Sequence, residues 1–587
     1  MSRITRLVVV VLSGISLSAS AQTSEFEPVT DEMLLNPDPA DWLMINRTFD
    51  QQRFSPLEQI DRDNVDRLGL AWSRGLPQGV QETTPIVHDG VMYLVQPGAG
   101  VLAVDARNGD EIWSYSHDIS DAAIGFVGTA ESQRTKNIAI YEDLIFYPAP
   151  DGLLVALDAI SGEVRWQTTV FDVSTRTRHS GGVLVADGKV ITNRACAQRA
   201  GCFIAAHDAR TGEEVWKFYI TAAPGTRDGD TWGGLPVDQR IASSWGLPGS
   251  YDPVRKITYW GTANPTPYTR LTRHGSVDAV PVTAPADLYS NSTVALDVET
   301  GELVWYYQHN PGDDWDLDHL HERTIVSTRF EPDPEAVKWI NPAIARGEVR
   351  EAVVSVGEGG GVWLLDRASG EFLWAMPFPY DIPEFHIADI NVETGRTVSN
   401  AERMFVQDGD RRLVCYHNTR SYWSTAYDPT RNALYIPYHD ACLDMTANSQ
   451  VESGFGPRRG VLRPGTDLEN YSSIAKIDLA TGRMERIHSQ VAPGNGSALV
   501  TGGDLLFWGD IARRFRAFDS DDGEVLWETV LGGIIQTSTI TYAVDGRQYV
   551  AVMTGNGVSG TATPGMISGV ATVQGHNAIY AFALPAR

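Results

Sequence analysis

The stretch VALDAISGEVRW, residues 155–166, decides the fold. Its apolar start is the end of a half-buried strand, Asp158 to Gly162 carries turn residues with a permissive glycine, and the return strand delivers the indole of Trp166. The same pattern recurs as LAVDARNGDEIW at 102–113, AAHDARTGEEVW at 205–216, VALDVETGELVW at 294–305, WLLDRASGEFLW at 363–374 and RAFDSDDGEVLW at 516–527. A degenerate copy, AKIDLATGRMER, covers 475–486. Self-similarity at a period of about fifty residues marks a propeller or solenoid.

In a propeller each repeat is a blade, and its tryptophan fills the seam to the next. Burying an indole removes roughly 150–250 Å² from water, at most about 4–6 kcal/mol per seam, so these tryptophans are structural and not catalytic. Asp158 to Asp208 spans one blade, whereas Asp208 to Asp297 and Asp366 to Asp478 each have room for two. With those skipped blades and the strand around Leu70-Ala71-Trp72, the expectation is an all-β, eight-bladed β-propeller with long inserted loops. Residues Asn577 to Phe582 are expected to pair with the N-terminal blade and close the ring. The stretches near 224–290, 310–350 and 376–420 are too long for turns, and such loops usually carry function.

Residues 1–21 open with Arg3 and Arg6, continue through the apolar run Leu7 to Leu12 and end in Ala19-Ser20-Ala21. That is the pattern of a secretory signal peptide, leaving 22–587 as the propeller domain in the periplasm. No other run approaches the roughly twenty apolar residues of a membrane span. Export sets an oxidising compartment, and the four cysteines fall into two pairs, Cys196 with Cys202 and Cys415 with Cys442. Neither pair has zinc spacing, and without a Cys-x-x-Cys-His there is no covalent haem, so an electron carrier comes from outside. The net charge of -27 argues against nucleic acid and anionic membrane surfaces and favours a basic partner, although plain solubility explains it equally well.

Chemistry concentrates in His309 to His319, where Asp313, Asp314, Asp316 and Asp318 crowd together. Such a cluster is either a solvated acidic loop or a cation site. If the segment is extended, Asp316 and Asp318 face one side, and without a metal one of them takes a raised pKa. Asn264, at the end of Tyr259 to Pro265, offers an amide oxygen to a hard cation or simply marks a turn. His319, His321 and Glu322 either line the same mouth or, having no assigned partner, read as surface residues.

The repeats, together with Trp42, Asn64-Val65, Thr231-Trp232-Gly233, Ser244-Trp245-Gly246, Tyr251-Asp252-Pro253, Gly261 to Pro265, Asp314-Trp315-Asp316 and the Cys415 to Cys442 interval, resemble the pyrroloquinoline quinone (PQQ)-dependent alcohol dehydrogenases. The resemblance spans essentially the whole mature chain and includes the methanol dehydrogenase large subunit. It implies PQQ in a central funnel, stacked on Trp245, with Ca²⁺ or a lanthanide ion polarising a quinone oxygen. Asp316 matches the base that removes the alcohol proton as hydride passes to the quinone, Asn264 and Asp316 match metal ligands, and Asp318 stands where lanthanide-using members add a carboxylate. Glu82 and Ser243 match cofactor-facing residues, and Lys136 falls where the family has an arginine. His179 and Arg194 occupy cofactor-facing positions that usually carry hydroxyls, or else are surface or blade-end residues. A small alcohol is the implied substrate and a soluble cytochrome c the implied electron acceptor.

The chain also departs from the pattern. The adjacent cysteine pair is missing from Gly125 to Gly128, the metal-binding glutamate falls at Ala197 or Gln198, a quinone-contacting arginine falls near Gly359, and an asparagine is replaced by Tyr422. These losses keep a second reading open, a cofactor-free propeller serving as a binding or assembly scaffold.

Overall fold

The repeat's aspartate builds its turn directly. Asp158 Oδ1 accepts from the backbone N–H of Ile160 and Ser161 at 3.0 and 2.7 Å, and Asp297, Asp366 and Asp478 do the same in their copies. The glycine then lies flat under the preceding blade's indole: a Cβ on Gly162 would meet the Trp113 ring at 2.5 Å, and Gly109, Gly212, Gly301 and Gly370 stand likewise against Trp72, Trp166, Trp216 and Trp305. The Trp113 Nε1–H donates to Ala159 O at 3.0 Å, tying blade to blade.

The computed structural model describes residues 26–129, 132–227, 230–417, 419–557 and 567–586, so the expected signal peptide at 1–21 lies outside the described residues. Within these, eight sheets of four or five strands follow one another, blades 1 to 7 at 86–116, 139–169, 183–219, 250–308, 324–376, 426–490 and 499–530. The eighth is composite: Ile540–Val544, Arg547–Thr554 and Ala578–Ala583 are completed by Gly69–Gly75 from the other end of the chain. Buried apolar clusters run continuously around the ring. One joins blades 1 to 4, others join 4 to 5, 5 to 6 and 6 to 7, and one spans 7, 8 and 1.

Among the described residues the expected skipped blades are absent. Asp208 and Asp297 lie in blades 3 and 4, Asp366 and Asp478 in blades 5 and 6, and the extra length is insertion. The first insertion includes a short helix, Arg270–His274. The second holds the ribbon Ile387–Ile390/Thr397–Ser399 and a sheet of Arg411–Cys415, Ala441–Thr446 and Arg459–Leu462. Disulfides join Cys415 to Cys442 inside that sheet and Cys196 to Cys202. Two seams depart from this pattern: Gly482 of blade 6 meets Val337 instead of the Trp374 indole, beside the added strand Trp339–Ile340 along blade 5, and Gly523 of blade 7 meets Ile487.

Candidate active site

The propeller geometry gathers one segment from each blade on the axis, the few residues that lead into its innermost strand. Glu82, Lys136, His179, Trp245, His321, Tyr422, Asn495 and Gln536 all stand three to five positions before the first strands of blades 1, 2, 3, 4, 5, 6, 7 and 8. Hydrogen bonds link these segments: Thr84 N to Lys136 O, Lys136 N to Gly181 O, Thr425 N to Glu322 Oε1, Ser424 N to Ser497 Oγ and Thr537 Oγ1 to Thr83 O.

One end of this axis is acidic. Asp318 is held from both oxygens, by the Asn264 N–H at 2.7 Å and the Trp245 Nε1–H at 2.8 Å. Burial, followed by the nearby Asp316 charge, pushes its pKa up to about 8. Glu358 is buried beside it with no side-chain hydrogen bond among the described residues, and burial with the Asp318 and Asp316 charges raises its pKa strongly. Asp316 is half-buried; its Oδ2 pairs with Arg458 Nη1 at 2.7 Å, and the His417 ring stands 3.9 Å away. Its φ of +67° breaks the extended run assumed from the sequence. The loop is not a solvated acidic one either: Asp313 and Asp314 are fully buried. Asp313 accepts from the N–H groups of Trp315 and Asp316, each at 2.8 Å, and from Asn310. Asp314 accepts from the N–H groups of Arg270 and Phe405.

The other end is cationic. Lys136, fully buried, pairs with Glu82 and lies 4.3 Å over the Tyr422 ring, whose hydroxyl donates to Gln536 at 2.6 Å. Burial lowers the Lys136 pKa; Glu82 opposes that and the charges of Arg134 and Arg178 add to it. Trp245 bridges the two ends, bonded to Asp318 and edge-on to His321 at 6.1 Å. His321 in turn feels the charges of Arg420, Arg323 and Lys136.

Ser243 sits half-buried two residues before Trp245, its carbonyl accepting from Ala263 N at 2.8 Å. His179, in the segment that leads into blade 3, and Arg194 are fully buried. The His179 ring bonds Ala149 O, Arg194 bonds Thr192, and Arg194 stacks 3.8 Å over Phe203. The surface reading of His319, His321 and Glu322 is corrected. All three are buried, with Glu322 paired to Arg420 and His319 stacked on His309 at 4.9 Å. Sequence reasoning missed Glu358, Arg458, Arg134 and Arg178. Glu358 alone left a trace, an isolated acid within Gly357-Glu358-Gly359-Gly360-Gly361.

These residues suit a polyanionic ring and a hard cation. Among the described residues, Gln81 Oε1, Thr135 Oγ1, Gln536 Nε2 and both His321 nitrogens are buried without hydrogen-bond partners, each unmet group costing about 1–3 kcal/mol. Lys136, Arg134 and Arg178 outnumber Glu82, which leaves positive charge for an anion. Opposite them, Asn264 Oδ1 and the Asp318 and Glu358 carboxyls offer hard oxygen donors. Among the described residues no three acidic, histidine or cysteine side chains already close into a cage, so a cation would have to draw these donors together.

Fold and site together define a class, the propeller oxidoreductases that hold a quinone on the axis. The family model for the PQQ glucose/ethanol/alcohol dehydrogenase β-propeller domain matches residues 42–381 and 472–550, and the chain belongs to that family. It is therefore a PQQ-dependent quinoprotein of the alcohol dehydrogenase type. The quinohemoprotein alcohol dehydrogenase ADH-IIG of Pseudomonas putida is 29% identical over 93% of this chain and 77% of its own length. The quinoprotein alcohol dehydrogenase PedH of P. putida is 27% identical over 94% and 91%. A solved europium-containing methanol dehydrogenase superposes with a TM-score of 0.79 at 26% identity, covering 94% of this chain and all of that one.

Proposed function

We propose that this chain is a periplasmic dehydrogenase that oxidises a hydroxyl compound with Asp316 as the proton acceptor and passes the electrons to a soluble cytochrome c. The observation that carries the reading is Trp245, one half-buried indole joined to the acidic end through Asp318 and to the cationic end through His321.

PQQ supplies a two-electron acceptor for the carbinol hydride, and a calcium or lanthanide ion supplies the Lewis acid beside it. Asn264, Asp316 and Asp318 would hold the ion, with the Glu358 carboxyl beside them. Glu82, Lys136, Ser243 and Trp245 would hold the cofactor, and Arg134 and Arg178 would balance its carboxylates. Arg194 Nε and Nη1 and His179 Nε2 lack partners among the described residues and stay available to an anionic group at the edge of the site. Asp316 Oδ2 is fixed on Arg458, so Oδ1, which has no hydrogen bond among the described residues, takes the hydroxyl proton. Glu322, locked between Arg420 and Thr425, positions the floor and exchanges no proton.

Reconstitution tests this. The purified mature chain is mixed with PQQ and either calcium or a light lanthanide, and both cofactor absorbance and dye-linked alcohol oxidation are followed. Binding and turnover with at least one metal is expected. Failure to bind PQQ with either would replace the enzyme by a scaffold.

A further inference from the structure

Arg458 is only half used by the chemistry above. It precedes the strand Arg459–Leu462 and reaches Asp316 across 142 positions of sequence. One nitrogen, Nη1, contacts Asp316 Oδ2 at 2.7 Å; Nε and Nη2 have no hydrogen-bond partner among the described residues, and the side chain is 38% exposed. The strap carrying it is fixed on several sides. Ser453 O accepts from Tyr268 N at 3.0 Å, Phe455 packs on Tyr268 and Phe405 at 6.1 and 5.4 Å, and Glu452 meets Arg176 at 3.3 Å. Strand Arg459–Leu462 pairs with Ala441–Thr446, which is stapled to Arg411–Cys415 by Cys415–Cys442. The guanidinium is thus presented at a set place.

A neutral alcohol makes no demand on that free edge. An exposed ion pair also contributes little to stability, so the fold does not require it. A guanidinium fork does match a carboxylate in shape and charge. In a molecule of net charge -27, a cation held beside the proton acceptor runs against the general surface.

We infer that Arg458 determines specificity by taking the carboxylate of a short hydroxycarboxylate substrate, which places the substrate's hydroxyl at Asp316. This rests on the functional reading given above. Because Nη1 already touches Asp316, the two substrate groups must be only a few carbons apart.

The test uses the chain loaded with PQQ and calcium, with 3-hydroxybutyrate and its methyl ester as a matched anionic and neutral pair. Wild type is expected to favour the acid in kcat/KM by roughly tenfold to a hundredfold, the worth of one charge-assisted contact. Arg458→Gln should bring the ratio to about one, and Arg458→Lys should restore part of it. The ratio cancels any general effect on Asp316. Butyrate, which cannot react, should inhibit oxidation of the ester competitively, with an inhibition constant that rises about tenfold or more in Arg458→Gln. A wild type indifferent to the substrate's charge, or butyrate binding that survives Arg458→Gln, overturns the inference while leaving alcohol oxidation intact. If no hydroxyl compound is oxidised at all, the functional reading has failed instead. Calorimetric titration of butyrate into wild type and Arg458→Gln then decides the anion site without turnover.

Discussion

Asp313 and Asp316 stand three residues apart and do opposite work. Asp313 is buried and spends its oxygens on the backbone of its own loop, whereas Asp316 is half-buried, with one oxygen unbonded. Asp316→Ala should lower kcat by about 10²–10⁴, the worth of a general base, while stability changes by less than about 1 kcal/mol because its ion pair is partly exposed. Asp313→Ala should instead cost about 3 kcal/mol or more by orphaning buried N–H groups. Melting curves beside steady-state rates separate the two. Asp318 gives a pH prediction. Its pKa in the folded chain lies above the unfolded value, so the protonated acid stabilises the metal-free fold at low pH. That contribution is complete below about pH 4 and is lost as the pH rises through about 8. A cation needs the carboxylate, so metal affinity should climb over the same range, by up to about tenfold per pH unit, and calorimetric titration at several pH values reads it. Lanthanide affinity that is flat from pH 5 to 9 would remove Asp318 from the ligand set. At this scale the sequence was partly readable. Trp245, Asn264, Asp316 and Asp318 sit in short motifs, but Arg458 meets Asp316 only through an inserted strap, and no local pattern encodes that meeting.

Blade turns show why the fold was the more legible part. Aspartate, glycine and tryptophan act within a dozen residues of one another, so chemistry and spacing appear together in the string. The insertions have no such local rule. Their length looked like extra blades, and only the sheet pairing reveals ribbons and a strap. A finer regularity was present without being read, since the residues facing the axis recur three to five positions before each innermost strand, a rule that would have raised His321, Tyr422 and Gln536 as candidates. The turn itself can be tested with two glycines of equal φ. Gly162 and Gly546 both have φ +73°, but a Cβ on Gly546 meets nothing within 4 Å while one on Gly162 meets the Trp113 ring at 2.5 Å. Gly546→Ala should therefore cost only the left-handed backbone penalty, about 1–2 kcal/mol. Gly162→Ala should cost that plus about 1–3 kcal/mol of overpacking in the seam. Thermal midpoints of both variants, measured side by side, isolate the indole contact; equal shifts would mean that the seam yields freely.

Closure and charge belong to the whole molecule. Blade 8 takes Ala578–Ala583 from one end of the chain and Gly69–Gly75 from the other, and Phe582 packs against Trp527 of blade 7 at 5.2 Å. A chain ending at Asn577 should lose cooperative melting and aggregate, since an open ring exposes strand edges on both sides of the gap. The axial site depends on this closure, because Glu82, Gln536 and Lys136 come from blades 1, 8 and 2, which meet across the join. The net charge of -27 then acts on whatever docks over the funnel. Electrons delivered to a basic cytochrome c should move fastest at low salt, where the Debye length reaches about 30 Å, and slow steeply as ionic strength approaches about 0.5 M. A small neutral dye should show no such slope, which separates steering of the acceptor from any effect of salt on the site. If reduction of the cytochrome proved as insensitive to salt as reduction of the dye, the acidic surface would serve solubility alone, and the acceptor would have to be sought among uncharged or apolar carriers.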